Sequence, residues 1–137
     1  MRILVLENEL TSRRGGQELS LLDVCRGLAA RGHRISLAYV TPGDLEADYR
    51  QLCEQMVRVD AYSVDRSRLP AALFSFARSL GAVRRTAPDV IYANQYIDSL
   101  FAAATRRFLG APFVCHLRLP PPDAWCTQFR IGMSQAQ

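Results

Sequence analysis

Apolar positions along this chain follow two rhythms. Unbroken runs of three or four, such as Ile3-Leu4-Val5-Leu6, predict strands buried on both faces. Apolar residues at three- and four-residue intervals predict helices with one inward face. Arg2–Glu7 reads as the first strand, and Gln17–Arg31 as a helix whose inner face is Leu21, Leu22, Cys25, Leu28 and Ala29. Gly32 ends that helix, as a glycine just past the last turn does. Arg34–Val40 reads as a second strand, Asp44–Glu54 as a short helix and Met56–Val59 as a third strand. A connector, Asp60–Pro70, leads to a helix over Ala71–Arg85, with Leu73, Phe76, Ala77, Leu80 and Val83 as its expected core face. Asp89–Ala93 is a fourth strand, Gln95–Leu109 a further helix closed by Gly110, and Phe113–Leu117 a fifth strand. Pro120-Pro121-Pro122 then forbids helix or inner strand, and Ala124–Ala136 has the pattern of another helix.

Strand and helix alternate five times, which predicts a Rossmann-like three-layer α/β/α sandwich around a parallel sheet. Right-handed crossovers make 3-2-1-4-5 the natural strand order. Ligands of such sheets sit beyond the carboxyl ends of the strands, where the winding reverses. Three stretches should therefore meet in one crevice: Asn8–Gly16, Asn94–Tyr96 and His116–Asp123.

Composition narrows the chemistry. The 137 residues are one domain's worth, and 49% are hydrophobic, enough for a real core. No run approaches the roughly 18–20 apolar residues of a membrane span, and no leader pattern opens the chain, so a cytoplasmic setting is expected. The net charge is +4, all 17 basic residues are arginine, and no nucleic-acid motif accompanies them. Cys25, Cys53, Cys115 and Cys126 form no C-x-x-C, and His33 and His116 lack metal-ligand spacing, so buried free thiols and no metal are expected. His33 suits the helix end it follows.

The stretch ENELTSRRGG, Glu7–Gly16, carries the most chemistry. A strand, a loop ending in two glycines and a helix can hold a phosphate, because the backbone comes close and the first helical amides point at the anion. Gly15 and Gly16 could equally do no more than make the turn, since no full G-x-G-x-x-G is present. Arg13 and Arg14 could add charge there. Asn94, Gln95 and Tyr96 end the fourth strand, where they could bind a ligand or, for Asn94, cap the next helix. Arg118, Asp123 and Trp125 are further candidate contacts.

Residues 13–43, RRGGQELSLLDVCRGLAARGHRISLAYVTPG, resemble the opening of family 4 retaining glycosyltransferases of the GT-B fold, with their GG pair and L-A-x-R-G-H helix end. APDVIYANQY and GAPFVCHLR resemble that family's fourth and fifth strands. Two positions depart from the pattern: Ala93-Asn94 stands where a histidine is frequent, and Leu117-Arg118 follows His116 where an acidic residue is frequent. The resemblance implies an N-terminal, acceptor-side domain, one half of a GT-B enzyme. The nucleotide-sugar would bind mainly to a second domain that carries a Glu-x7-Glu motif, and that domain is expected to be absent from this sequence. It implies that Gly15 and Gly16 contact the donor diphosphate, that His116 is the catalytic-site histidine, and that Asn94, Tyr96 and Arg118 meet a glycan or lipid-linked acceptor. A nucleotide-sugar is then co-substrate, with no other cofactor and no metal, and the chain alone should be inactive.

Two other readings compete. One is a non-catalytic Rossmann-like module that pairs with a separate catalytic subunit. The other, a nucleotide-dependent oxidoreductase, is disfavoured because Val40-Thr41-Pro42 stands where an acidic residue would end the second strand. A receiver domain is disfavoured by its incomplete acidic cluster, Glu7 and Glu9. Separately, 100° stepping groups Phe74, Arg78 and Arg85 on the outer side of their helix, a pattern that suits an anionic membrane surface at the inner face of the cell membrane.

Overall fold

The computed structural model describes residues 1–13, 15–117 and 134. Five strands form one parallel sheet: β1 (Arg2–Glu9), β2 (Arg34–Thr41), β3 (Cys53–Arg58), β4 (Val90–Ala93) and β5 (Phe113–Cys115). Their order is β3-β2-β1-β4-β5, as the alternation predicts. Four helices, α1 (Gly16–Ala30), α2 (Glu46–Leu52), α3 (Leu69–Val83) and α4 (Ser99–Leu109), supply the crossovers.

The two faces of β1 explain its unbroken apolar run. Ile3 and Val5 join a cluster with Leu21, Leu22 and Cys25 of α1 and Tyr49 of α2. Leu4 and Leu6 join a second cluster with Val83 of α3 and Phe101 and Ala102 of α4. Successive side chains point to opposite faces, so a central parallel strand needs apolar residues at every position. Phe101 is the anchor of the second cluster, with ring centroids 4.9 Å from Tyr62 and 5.5 Å from Phe76. Gly32 (φ +80°) and Gly110 (φ +76°) adopt the left-handed conformation that ends a helix, as expected of both.

Several boundaries move for physical reasons. β1 runs on to Glu9 because Glu9 pairs with Thr41 at the end of β2. α2 is shorter than expected because Asp44 bonds to Ser12 instead of entering the helix, and Cys53 and Glu54 belong to β3. Pro70 lies in the first turn of α3, where a missing N–H costs nothing, and not in the connector. The Gln95–Leu109 segment opens with a 3₁₀ turn over Tyr96–Asp98, so α4 starts only at Ser99 and Asn94 is not its cap. β5 ends at Cys115, before His116 and Leu117.

The expected core face of α3 is also corrected. Phe76, Leu80 and Val83 pack inward, but Leu73 is 51% exposed and Ala77 is exposed. Ser79 is buried in their stead; its hydroxyl donates to the Ser75 carbonyl and accepts from the Asp60 amide. Cys25 is buried, Cys53 and Cys115 are half-buried, and all three are free thiols.

Candidate functional site

The glycine loop stands where β1 delivers it and is braced by the next turn. Ser12 donates to the Asp44 carboxylate from its backbone amide (2.9 Å) and its hydroxyl. These bonds hold the Asp44 carboxyl well below the usual range, at about 2. Gly43 packs directly on the backbone of Leu10.

The two glycines are not equivalent. Gly15 is the N-cap of α1, at φ 131° and ψ −154°, a conformation closed in practice to residues with a Cβ. The fold therefore needs Gly15 whether or not a ligand binds. Gly16 is different: a Cβ there would meet nothing within 4 Å, and its φ is ordinary. Neither packing nor backbone conformation asks for glycine at 16. In addition, α1 has no side-chain cap bond, so the amides of its first turn are not answered by the N-cap residue.

Behind this loop lies a buried polar pair. Glu7 continues the alternation of Ile3 and Val5 onto the α1 face and is 1% exposed. One carboxylate oxygen accepts from the Asn8 amide (2.8 Å), the other from the side chain of Asn94 (2.6 Å). Burial, more than the nearby Glu18, pushes the Glu7 carboxyl up, and its hydrogen bonds offset part of that. Glu18, in the first turn of α1, is 5% exposed, and one of its oxygens has no hydrogen-bond partner. Asn94 is wholly buried, so its amide is committed to Glu7 and does not face an open crevice.

His116 follows β5, and its amide donates to the Ala93 carbonyl (2.9 Å). Its exposed ring meets the hydroxyl of Tyr92 on β4, with Oη 2.7 Å from Nδ1. The rings cross nearly at right angles. Tyr92 thereby fixes the direction of the imidazole, leaving Nε2 as the nitrogen away from the tyrosine. Tyr96 sits half-buried in the 3₁₀ turn. Arg14, Arg118, Asp123 and Trp125 lie outside the described residues. The structure thus joins Glu7 to Asn94 and Tyr92 to His116 at the carboxyl ends of neighbouring strands, with Glu18 and the glycine loop on the α1 flank. Among the described residues no cluster of histidine, cysteine and carboxylate side chains could hold a metal.

Sequence reading passes over Glu7 and Tyr92 as members of the site. The signal for Glu7 was present: a carboxylate two residues after Val5, still within the buried run, is an unusual occupant of an inward position.

A family described as a glycosyl transferase 4-like domain matches residues 15–137, starting at the N-cap glycine of α1. Among solved structures, HepE of Anabaena in complex with UDP is similar at 22% identity and a TM-score of 0.64, over 98% of this chain and 35% of that one. MurG of Acinetobacter baumannii is similar at 15% identity and a TM-score of 0.63, over 98% of this chain and 39% of that one. The lipopolysaccharide outer core galactosyltransferase WaaB, in its apo form, follows at 14% identity and a TM-score of 0.60, over 84% of this chain and 32% of that one. At such identities the likeness is one of fold. The chain spans about a third of the length of the structures it matches. No curated protein sequence matches it.

Proposed function

The chain belongs to the glycosyl transferase 4-like family, and from that premise we propose that it is the acceptor-side half of a GT-B transferase. The assembled enzyme moves a sugar from a nucleotide-sugar to an acceptor hydroxyl with retention of configuration. A second α/β domain, on the same or another chain, holds most of the nucleotide. The observation that carries this reading is the uncapped start of α1 beside Gly16. The donor diphosphate lies against those amides as the cleft closes, where helix-terminal N–H groups stabilise negative charge that grows on the leaving group. His116, aimed by Tyr92, donates a hydrogen bond from Nε2 to the reacting sugar or the acceptor. HepE, a structural neighbour, has been crystallised with UDP and glucose, which agrees with a nucleotide-sugar as co-substrate.

Gly16→Ala tests the diphosphate contact without disturbing the fold, because a Cβ at this position meets nothing within 4 Å. In the assembled enzyme it should lower kcat/KM about 100-fold, the order of loss when one preorganised donor site for an oxyanion is blocked. Stability should change by less than about 0.5 kcal/mol. Unchanged turnover in this variant, inversion at the anomeric carbon, or transfer by the 137-residue chain alone would overturn the reading.

A membrane-linked acceptor is supported by the outer side of α3. Phe74 is 71% exposed, Leu73 and Leu69 are about half exposed, and Arg68, Arg84 and Arg85 stand exposed at the two ends of the helix. Arg78 is already paired with Asp60, through bonds of 2.8 and 2.6 Å, and contributes less than its position in the sequence implies. No helix among the described residues is long and apolar enough to cross a membrane, so contact would be peripheral. The chain should float with vesicles that contain anionic lipid and not with neutral ones, and Phe74→Glu should release it. Equal recovery from both vesicle types would remove this part of the reading.

A further inference from the structure

The loop between β1 and α1 is gripped from one side by the turn between β2 and α2. The Leu10 amide donates to the Thr41 carbonyl (3.1 Å), and the Leu10 carbonyl accepts from the Leu45 amide (3.0 Å). Two residues on, Ser12 gives both of its donors to one acid, its amide to one carboxylate oxygen of Asp44 and its hydroxyl to the other. One hydrogen bond would let the chain swivel about it. Two bonds to the same planar carboxylate fix both the place and the orientation of Ser12. Asp44 is held in turn by its neighbours: Gly43 lies against the Leu10 backbone, and the Glu46 amide donates to the Gly43 carbonyl (3.2 Å). Arg13 and Arg14 alone separate Ser12 from Gly15, a reach of roughly 10 Å at full extension. The Arg13 amide turns back onto the Thr11 hydroxyl (3.2 Å), which shortens that reach further.

Asp44 is exposed, and a clamp open to water adds little to global stability. Its effect is local: it decides where the chain enters α1. A loop ordered beforehand spares a ligand the cost of ordering it on arrival. The charge of the clamp works the other way. With its carboxyl lowered to about 2, Asp44 is ionised at neutral pH. A negative charge beside the loop by itself opposes a second anion there. Clamp and charge therefore act on anion binding with opposite signs, and a variant that removes both shows which one governs.

We propose that Asp44 is a positioning residue of the donor site, which through Ser12 holds the glycine loop in the conformation that a diphosphate meets. The proposal rests on the glycosyltransferase reading and adds to it a residue that touches no substrate. In the 137-residue chain, the backbone amides of Arg13, Gly15, Gly16 and Gln17 are followed by NMR while inorganic pyrophosphate is added, and their order is read from nitrogen relaxation. In the parent these amides should be as ordered as those of Leu21–Leu28 and should shift with pyrophosphate. Asp44→Ala should loosen them, leave Leu21–Leu28 unchanged, and weaken pyrophosphate binding about tenfold, the worth of one hydrogen bond to a charged group. Ser12→Ala should act in the same direction, and Ser12→Thr, which keeps the hydroxyl, should match the parent. Equal or tighter binding by Asp44→Ala, equal loop order in the two chains, or a parent loop that ignores pyrophosphate would each overturn the proposal. In the assembled enzyme Asp44→Ala should raise KM for the nucleotide-sugar and leave kcat nearly unchanged, since the cost of ordering the loop falls equally on substrate and transition state. If that enzyme transfers sugar and Asp44→Ala matches the parent in KM, the positioning role falls and the transferase reading stands. If the loop loosens and pyrophosphate is lost as described but the assembled enzyme transfers no sugar, the positioning role stands and the transferase reading falls.

Discussion

Gly43→Ala should destabilise the chain by about 3 kcal/mol, the upper end of what forced overpacking costs. The reason is a contact and not a dihedral angle, since Gly43 does not have a positive φ. An added Cβ would lie 2.1 Å from the Leu10 carbonyl oxygen and 2.7 Å from its carbon, with the Thr11 amide nitrogen at 3.2 Å. These are backbone atoms and cannot swing aside as a flexible side chain would. Leu10 is wholly buried, its amide donates to Thr41, and its carbonyl accepts from Leu45. Relief of the clash must therefore break one of these bonds or move the loop that leads to Gly15. Chemical denaturation should show a lower midpoint with an unchanged slope, and a thermal midpoint lower by roughly 10 °C for a domain of this size. Gly16→Ala is the matched control and should differ from the parent by less than about 0.5 kcal/mol. A Gly43→Ala chain as stable as that control would show that the turn and the loop are not pressed together.

The second large effect is a dependence on pH. Glu7 and Asp98 both have carboxyls raised by burial above their unfolded values. Below about pH 4 such groups are protonated in both states and favour neither. As pH rises past that point the unfolded chain ionises while the folded chain keeps its protons. Stability then falls, by at most about 1.4 kcal/mol per pH unit for each acid, until the folded group ionises too. The exposed Asp44, with its carboxyl lowered to about 2, acts in the opposite direction, and its contribution is lost only as pH falls toward that value. Unfolding curves between pH 4 and pH 8 should therefore weaken with rising pH. Asp98→Asn should flatten the decline, matching the parent near pH 4 and exceeding it at pH 7. A parent chain that gains stability across this range would contradict the burial of both acids.

The sheet was legible because its signals are local. Apolar runs marked β1, β2, β4 and β5, while β3 has only the pair Met56-Val57, and Gly32 and Gly110 marked two helix ends through conformations that only glycine adopts readily. The face of α3 was legible in part: Phe76, Leu80 and Val83 turn inward and Phe74 outward as expected, but LPAALFSFARSLGAV is apolar over so wide an arc that its period could not exclude Leu73 and Ala77. Tertiary packing chose, turning Ser79 inward and leaving Leu73 outside. The candidate site was legible as three converging stretches but not as pairs. Asn94 looks like a helix cap until Glu7, 87 residues earlier, is seen to hold its amide. Tyr92 reads as one more strand residue until β5 brings His116 beside it. Gly15 and Gly16 read alike in sequence, and only the backbone separates the one the fold requires from the one it does not.

The three thiols among the described residues are poor targets for electrophiles. Desolvation raises Cys25 and Cys53 to about 12 and Cys115 to about 11. At neutral pH only on the order of one in ten thousand of these side chains, or fewer, is the reactive thiolate. Alkylating reagents and peroxides therefore find almost nothing to attack at these three positions while the chain is folded. A cysteine placed at position 16, where a Cβ meets nothing within 4 Å, would outcompete these three for a fluorescent label in a chain whose Cys126 is replaced by serine, and report the approach of whatever closes over it.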